Sequence, residues 1–294
     1  MKPRLDARRI VVILLVLAVP GCRKKVDSAP PVATPALTLN HSRASQGSPI
    51  EITYRFTVAN DAPPFAQRYR VLAHVVDADN ELMWTDDHDP QVPTTEWKAG
   101  QTIEYTRTIF VPMYPYIGEA SLQMGLYAPD GKRLKLSGDD TGQRAYRVAK
   151  LQILPQTENV FLIFRDGWHP AEIAKNTSSI EWQWSKKEAT ISFRNPRRDS
   201  IFYLDIDNPG GMFKETQTVD VRLGGQVVDH FTLAPKEELI RRVRLSAVQL
   251  GAADMVDVKI QVDKTFVPAL LEPSSGRDPR ELGVRVFHAF VEPR

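Results

Sequence analysis

The sequence has almost no cysteine, no long apolar run and no familiar catalytic signature. Cys22 is the only cysteine among 294 residues, so no internal disulfide can form. The apolar run 10–19 is shorter than the roughly 20 helical residues that cross a bilayer. HExxH, Gly-x-Ser-x-Gly, phosphate-loop and dinucleotide-binding motifs are missing. These absences predict a protein that is not an enzyme, needs no cofactor and has no helical membrane span.

The first 21 residues have the three parts of a secretory signal in order. The apolar run 10–19 forms the middle part, and the small residue Gly21 closes the segment. Four basic residues precede the apolar run: Lys2, Arg4, Arg8 and Arg9. We therefore expect residues 1–21 to be a signal peptide that is removed when the protein is exported.

The end of this segment resembles the lipobox of bacterial lipoproteins. An aliphatic residue, Val19, is followed by Gly21 directly before Cys22. The resemblance implies that Cys22 becomes the first residue, carries acyl chains such as palmitate and anchors the protein to a membrane of the cell envelope. The alternative is an ordinary secretory signal cut after Gly21, which leaves Cys22 as a free thiol.

Signal removal changes the charge balance. Four basic residues and one acidic residue leave, so 38 basic residues become 34 and 36 acidic residues become 35. A nearly neutral mature chain gives no reason to expect a nucleic-acid partner. Arg23 stands where enteric lipoproteins of the inner membrane carry aspartate, so the resemblance favours the outer membrane.

Composition divides the mature chain into a tether and two domains. Residues 22–36 are rich in proline and alanine, a composition that favours an extended tether without a core. Residues 37–155 and 158–294 each have the length of an ordinary domain. We expect an all-β protein, with an antiparallel β-sandwich in each domain.

The first domain is predicted from residues that alternate with period two. Apolar and polar residues alternate over 50–58, which predicts a strand with one buried face. Residues 71–76 are apolar on both faces and predict a central strand, followed by a hairpin turn at Asp79 and Asn80. Further strands are expected over 102–111, 120–127 and 145–154.

The second domain repeats this pattern and is expected to be jelly-roll-like. Gly224 and Gly225 predict a two-residue hairpin turn, because a type I′ turn needs positive φ at both central residues. Residues 234–253 leave room only for a short helix. The expected strands cover 180–184, 190–193, 201–206, 219–223, 227–233 and 256–262.

The end of the chain resembles an uncharacterised β-sandwich module of bacterial envelope and glycosyltransferase-associated proteins. The resemblance lies in Phe266, Val267 and Pro268 and in the later run 278–284, which reads DPRELGV. It implies a jelly-roll-like fold and a glycan-rich setting, and it supplies no catalytic residue. Read by itself, the run 278–284 predicts a loop that fastens the last strand.

An acidic loop is the candidate metal site. Asp86, Asp87, His88 and Asp89 offer the ligand types that bind metal ions. The carboxylates at 77, 79 and 81 do not continue as a calcium-binding EF-hand loop, which needs glycine and glutamate where Leu82 and His88 stand. The alternative is a solvated loop with no metal.

Tryptophans are the candidate ligand-binding residues. An exposed indole can stack on a sugar ring, whereas a buried indole fills a sandwich core. Trp182 and Trp184 are two residues apart on a strand and should lie on one face. The five candidates are Trp84, Trp97, Trp168, Trp182 and Trp184.

Three functions follow, in decreasing order of preference. The first is a membrane-anchored envelope lipoprotein whose non-enzymatic module binds a glycan or a protein partner. The second is a structural or assembly lipoprotein without a ligand site, which predicts that all five tryptophans are buried. The third is a polysaccharide hydrolase, which predicts paired carboxylates in a cleft.

Overall fold

The computed structural model describes residues 29–156, 160–174, 177–211, 213–271 and 278–294. The predicted signal peptide, Cys22 and the first part of the predicted tether lie outside these residues. Among the described helices, none has the length and apolar character needed to cross a bilayer.

The first sandwich consists of nine strands in two sheets. Three strands form one sheet in the order β1-β3-β6, and the other has the order β2-β9-β7-β4-β5, with β8 paired to β9. All pairings are antiparallel except that of β2 with β9. The strands are β1 Ala33–Leu39, β2 Arg43–Ser45, β3 Pro49–Val58, β4 Arg70–Val76, β5 Leu82–Thr85, β6 Thr102–Phe110, β7 Gly118–Tyr127, β8 Asp139–Gly142 and β9 Ala145–Leu154, with a 3₁₀ turn over Thr94–Glu96.

The second sandwich has two five-stranded sheets. Their orders are β10-β13-β18-β15-β16 and β11-β12-β19-β14-β17. The elements are β10 Leu162–Phe164, β11 Glu172–Ala174, β12 Thr177–Trp184, β13 Glu188–Arg194, β14 Ser200–Asp207, β15 Gln217–Leu223, β16 Gln226–Leu233, β17 Glu238–Leu245, α1 Ala247–Leu250, β18 Met255–Val262, α2 Pro268–Leu271 and β19 Arg285–Pro293.

The strand order of the second sandwich is that of a jelly roll. Leaving out the edge strands β10 and β11, eight consecutive strands divide into β12-β19-β14-β17 and β13-β18-β15-β16. Two such four-stranded sheets define a jelly roll. The predicted fold class, two antiparallel β-sandwiches of which the second is jelly-roll-like, is confirmed.

Strand β1 begins inside the segment that was predicted to be a tether, so that prediction is wrong for residues 33–36. Residues 33–36 were expected to be extended and unpaired, but they belong to a strand that pairs with β3 from Ala33 to Leu39. Ala33 and Pro35 are buried while Thr34 is exposed. Proline is compatible with this strand because β1 lies at a sheet edge, where a missing N–H removes no ladder bond. The proline- and alanine-rich composition of the segment gives no sign of this strand.

Strand β17 occupies part of the segment in which only a short helix was expected. The helix α1 is present, and Ser246 caps it by accepting a hydrogen bond from the Gln249 N–H. The strand was missed because Arg241, Arg242 and Arg244 interrupt its apolar pattern. Its inward residues Val243 and Leu245 are nevertheless buried.

Each sandwich has its own hydrophobic core. The first core is built from β1, β3, β4, β6, β7 and β9 around fully buried side chains such as Phe56 and Leu151. The second lies between the jelly-roll sheets around Phe193, Phe202 and Val258. The predicted turn at Gly224 and Gly225 is present, with φ of 55° and 84°.

Candidate functional site

The acidic loop belongs to a hydrogen-bonded network of the first sandwich. Asp86 accepts a hydrogen bond from the Tyr54 hydroxyl at 2.8 Å and two from the Arg107 guanidinium at 2.8 and 2.9 Å. The His88 Nδ1–H donates to the Asp86 carbonyl, which leaves Nε2 to accept from the Tyr105 hydroxyl at 2.8 Å. Burial lowers the pKa of His88 and raises the pKa of both tyrosines, so it favours the neutral form of all three side chains.

The other two acidic residues of the loop have separate partners. Asp87 accepts a hydrogen bond from the Ala73 N–H at 2.9 Å and lies 3.5 Å from His74 Nε2. Burial opposes ionisation of Asp87, but these hydrogen bonds outweigh burial and lower its pKa. Asp89 lies 3.6 Å from Arg70. The predicted metal site over residues 86–89 is not formed, and no group of three or more potential metal ligands occurs in the described ranges.

The five tryptophans do not form one binding surface. Trp97 and Trp184 are buried, and Trp84, Trp168 and Trp182 are half-buried. Two belong to the first sandwich and three to the second, each packed against other apolar side chains. Core packing, the alternative to sugar stacking, therefore accounts for most of their surface.

Trp182 and Trp184 lie on one face of β12, as their spacing predicts. The Arg285 guanidinium is 5.2 Å from the Trp182 ring centroid, 5.7 Å from that of Trp184 and 5.1 Å from that of Phe287. Asp207 holds the guanidinium by two hydrogen bonds. Because Arg285 covers these rings, they are not an open platform for a sugar.

A carboxylate oxygen on β14 lacks a hydrogen-bond partner among the described residues. Asp205 Oδ1 is buried and accepts no hydrogen bond from the described residues. Burial, together with the charges of Glu238 and Asp207, raises the Asp205 pKa to about 7. Asp205 stands on β14 opposite His288 of β19, next to a bulge in that pairing. Part of its carboxyl population is therefore protonated at neutral pH.

The two sandwiches belong to one compact unit, Pro31–Arg294, and pack directly on each other. The Phe110 ring lies 4.3 Å from the His288 ring, and His288 Nε2 donates a hydrogen bond to the Gly47 carbonyl at 3.1 Å. Arg242 forms an ion pair with Glu51 at 2.6 Å. The outer face of the second sandwich's β14 and β19 is thus partly covered by the first sandwich.

A cleft of about 440 Å³ lies beside this interface and is lined by both sandwiches. This volume is within the range of small-ligand sites, which often form between domains. Its lining is mostly polar. The first sandwich contributes His41, Arg43 and Ser48, and the second contributes Arg198, Phe290 and Glu292.

Glu292, the one carboxylate in the cleft lining, already has several partners. It accepts a hydrogen bond from the Tyr203 hydroxyl at 2.9 Å and pairs with Arg294 at 2.9 Å. His41 Nε2 lies 3.7 Å from its other oxygen. Burial and the hydrogen bond to Glu292 raise the Tyr203 pKa to about 12. With one carboxylate, the cleft does not present the acid pair of a glycosidase.

The run 278–284 begins with a structural loop. The Arg280 guanidinium donates three hydrogen bonds to the two carboxylate oxygens of Asp278 and pairs with Glu172 of β11 at 2.7 Å. The Thr265 hydroxyl donates to Glu281 at 2.6 Å, and His169 Nε2 donates to the Glu281 carbonyl at 2.8 Å. These contacts attach the approach to β19 to two other parts of the second sandwich, as expected for a fastening loop.

Sequence reasoning missed the cleft. Arg43 and Arg198 are far apart in the chain, lie in no motif and line one cleft only because the sandwiches pack together. Asp205 had a readable signal, since Asp205 and Asp207 are the only charged residues in the otherwise apolar run 200–207. Charge inside a buried strand often marks a special environment.

No protein-family model and no curated protein matches the chain. Solved structures with some similarity include an alkylpurine DNA glycosylase of Pseudomonas fluorescens bound to DNA containing an abasic site analog, at 12% identity and TM-score 0.28, covering 43% of this chain and 31% of that chain. Another is the CBM36-1 domain of a xylanase from the hindgut metagenome of Trinervitermes trinervoides, at 7% identity and TM-score 0.27, covering 45% of this chain and 95% of that chain.

A third similar structure contains CBM51-2, in complex with GlcNAc, and INT domains from Clostridium perfringens ZmpB. It has 10% identity and TM-score 0.25, and the match covers 62% of this chain and 39% of that chain. The chain thus spans about a third of the glycosylase and less than half of the clostridial structure. TM-scores this low do not establish a shared fold, so the architecture rests on the strand order itself.

Proposed function

We propose that this chain is an exported lipoprotein, anchored through Cys22, whose sandwiches form a non-enzymatic module that binds a glycan in the cleft between them. The observation that carries the binding proposal is the polar cleft of about 440 Å³ lined by both sandwiches. A cleft with hydroxyl, imidazole and guanidinium groups and one aromatic ring, Phe290, offers the hydrogen bonds and the apolar contact that a saccharide requires.

Blocking the cleft tests the binding proposal. Ser48 is half-buried and lines the cleft, whereas Ser137 is a half-buried serine of the same sandwich outside it. The full chain, purified in detergent, is applied to an array of envelope and plant polysaccharides. We expect the wild type and Ser137→Phe to bind the same glycans and Ser48→Phe to bind none. Equal binding by both variants would exclude the cleft as the site.

Lipid attachment is tested independently of binding. The signal-peptide pattern and the lipobox resemblance support acylation of Cys22. We expect the wild type to partition with membranes, with a mature mass showing more than one acyl chain, because a single chain binds only marginally. Cys22→Ser should leave the membrane fraction. A soluble, unacylated wild type would refute the anchor and leave the binding proposal standing.

The packing of the tryptophans favours a second candidate, a structural or assembly lipoprotein. None of the five indoles is exposed, and Arg285 covers two of those in the second sandwich. If the protein is a structural module, Ser48→Phe should have the same stability and envelope location as the wild type, and neither protein should bind a glycan on the array. The array experiment therefore separates the two functions.

A further inference from the structure

Two arginines without carboxylate partners line the same cleft from different sandwiches. Arg43 lies on β2, and Arg198 lies in the connection between β13 and β14. Both side chains are exposed, and neither forms an ion pair within the described ranges. The guanidinium groups thus keep all their donors available.

The arginines around them are already paired. Arg197, next to Arg198, pairs with Asp254 at 2.6 Å, and Arg242 pairs with Glu51 at 2.6 Å. Arg294 pairs with Glu292, the carboxylate of the cleft. Because Arg294 offsets the charge of Glu292, the charge of Arg43 and Arg198 is not balanced from within the cleft. Focusing of positive charge in a cleft attracts anions.

We infer that the ligand of this cleft is an acidic saccharide, held through a carboxylate or phosphate group by Arg43 and Arg198. The inference rests on the proposed function and names its ligand class. A guanidinium matches the planar carboxylate or the phosphate with two parallel hydrogen bonds. Ser48, His41 and Phe290 remain for the sugar ring and its hydroxyls.

This assignment makes the site dependent on both sandwiches. Arg43 is carried by β2, which pairs with β9 of the first sandwich. Arg198 stands five residues before Tyr203, whose hydroxyl contacts Glu292, and so belongs to the rim of the second sandwich. Neither sandwich alone supplies both arginines. Binding therefore depends on the packing of the two sandwiches as well as on the two positive charges.

The test compares charged and neutral saccharides on the full chain in detergent. The probes are oligogalacturonate and its methyl ester, and a phosphomannan oligosaccharide and its dephosphorylated form. Variants are Arg43→Gln and Arg198→Gln, with Arg68→Gln and Arg194→Gln as exposed controls outside the cleft. Thermal unfolding of each variant confirms that it remains folded.

We expect at least one anionic probe to bind and its neutral form to bind roughly tenfold more weakly or not at all. Arg43→Gln and Arg198→Gln should each weaken anion binding by a similar factor, whereas both controls bind as the wild type does. Preference between the two anionic probes then identifies carboxylate or phosphate as the recognised group. Binding should also weaken as salt is raised.

Two results would overturn the inference and are distinguishable from each other. If neutral saccharides bind as tightly as anionic ones, and the arginine variants bind normally while Ser48→Phe does not, the cleft binds glycans but not through an anion. If no saccharide of either kind binds on the array or in solution, the glycan-binding function itself is wrong and the inference fails with it.

Discussion

The two sandwiches differ in how one shielded carboxylate of each is partnered. The first carries Tyr54, Asp86 and Arg107 in a network that satisfies the carboxylate with three hydrogen bonds. The second sandwich has a buried carboxylate oxygen on β14. That atom, Asp205 Oδ1, accepts no hydrogen bond from any residue that the structure describes.

This difference shows that location and partnering decide what a buried charge does. A satisfied network fixes the positions of the strands that contribute to it, whereas an unsatisfied carboxylate destabilises the folded state when ionised. Asp86 links β3 and β6 of one sheet to the segment after β5 of the other. It therefore joins the two layers of the first sandwich. Asp205 Oδ1 connects to no other element within the described ranges, and the raised pKa of its carboxyl makes it respond to pH.

The largest expected effect is the loss of a core aromatic from the second sandwich. Phe202 is fully buried in the hydrophobic core of the second sandwich. Phe202→Ala should lower the free energy of unfolding by about 3–5 kcal/mol, because it removes apolar contacts and leaves a cavity. Urea unfolding monitored by circular dichroism measures this change. An unchanged midpoint would mean that the core near β14 is not packed as described.

Removing the centre of the polar network should lower the free energy of unfolding by less than Phe202→Ala does. Asp86→Ala leaves the Tyr54 hydroxyl and the Arg107 guanidinium without their acceptor. We expect the free energy of unfolding to fall by roughly 2–3 kcal/mol and no further, because Arg107 is partly exposed and can regain water. Asp130→Ala, which removes an exposed ion pair with Lys132, serves as the control. A loss no greater than that of the control would show that the network contributes nothing to stability.

Neutralising the unpartnered carboxylate should stabilise the protein. Asp205 has a pKa of about 7 in the folded state against 3.8 as the reference value. Its favourable protonated form is fully populated below pH 3.8, and the stability it provides is lost as pH rises through about 7. Asp205→Asn should therefore raise the free energy of unfolding at pH 8 by roughly 1–2 kcal/mol and have little effect at pH 4.

The measurement is a pair of urea titrations at the two pH values, with Asp257→Asn on the exposed face of β18 as a matched change. Stabilisation that is equal at pH 4 and pH 8, or that also appears with Asp257→Asn, would contradict a specific titration of Asp205.

Most of the fold was predictable because strands with one buried face alternate strictly. Residues 50–58 and 256–262 show this alternation in the sequence and in their burial. The errors occurred where the pattern was masked, by proline in β1 and by three arginines in β17. For the candidate site, the sequence pointed to the tryptophans and to the acidic loop. In the structure the tryptophans mainly pack against apolar side chains, and the acidic loop is held by hydrogen bonds.

The sequence by itself determined the all-β class, most strand positions and the glycine turn at residues 224 and 225, because these depend on local periodicity and backbone conformation. Only the tertiary structure decided which charges are satisfied and which groups share a cleft. Arg43 and Arg198 are brought together by the packing of one sandwich on the other. Asp86 and Asp205 have the same side chain, and their different neighbours across the sheets give them different roles.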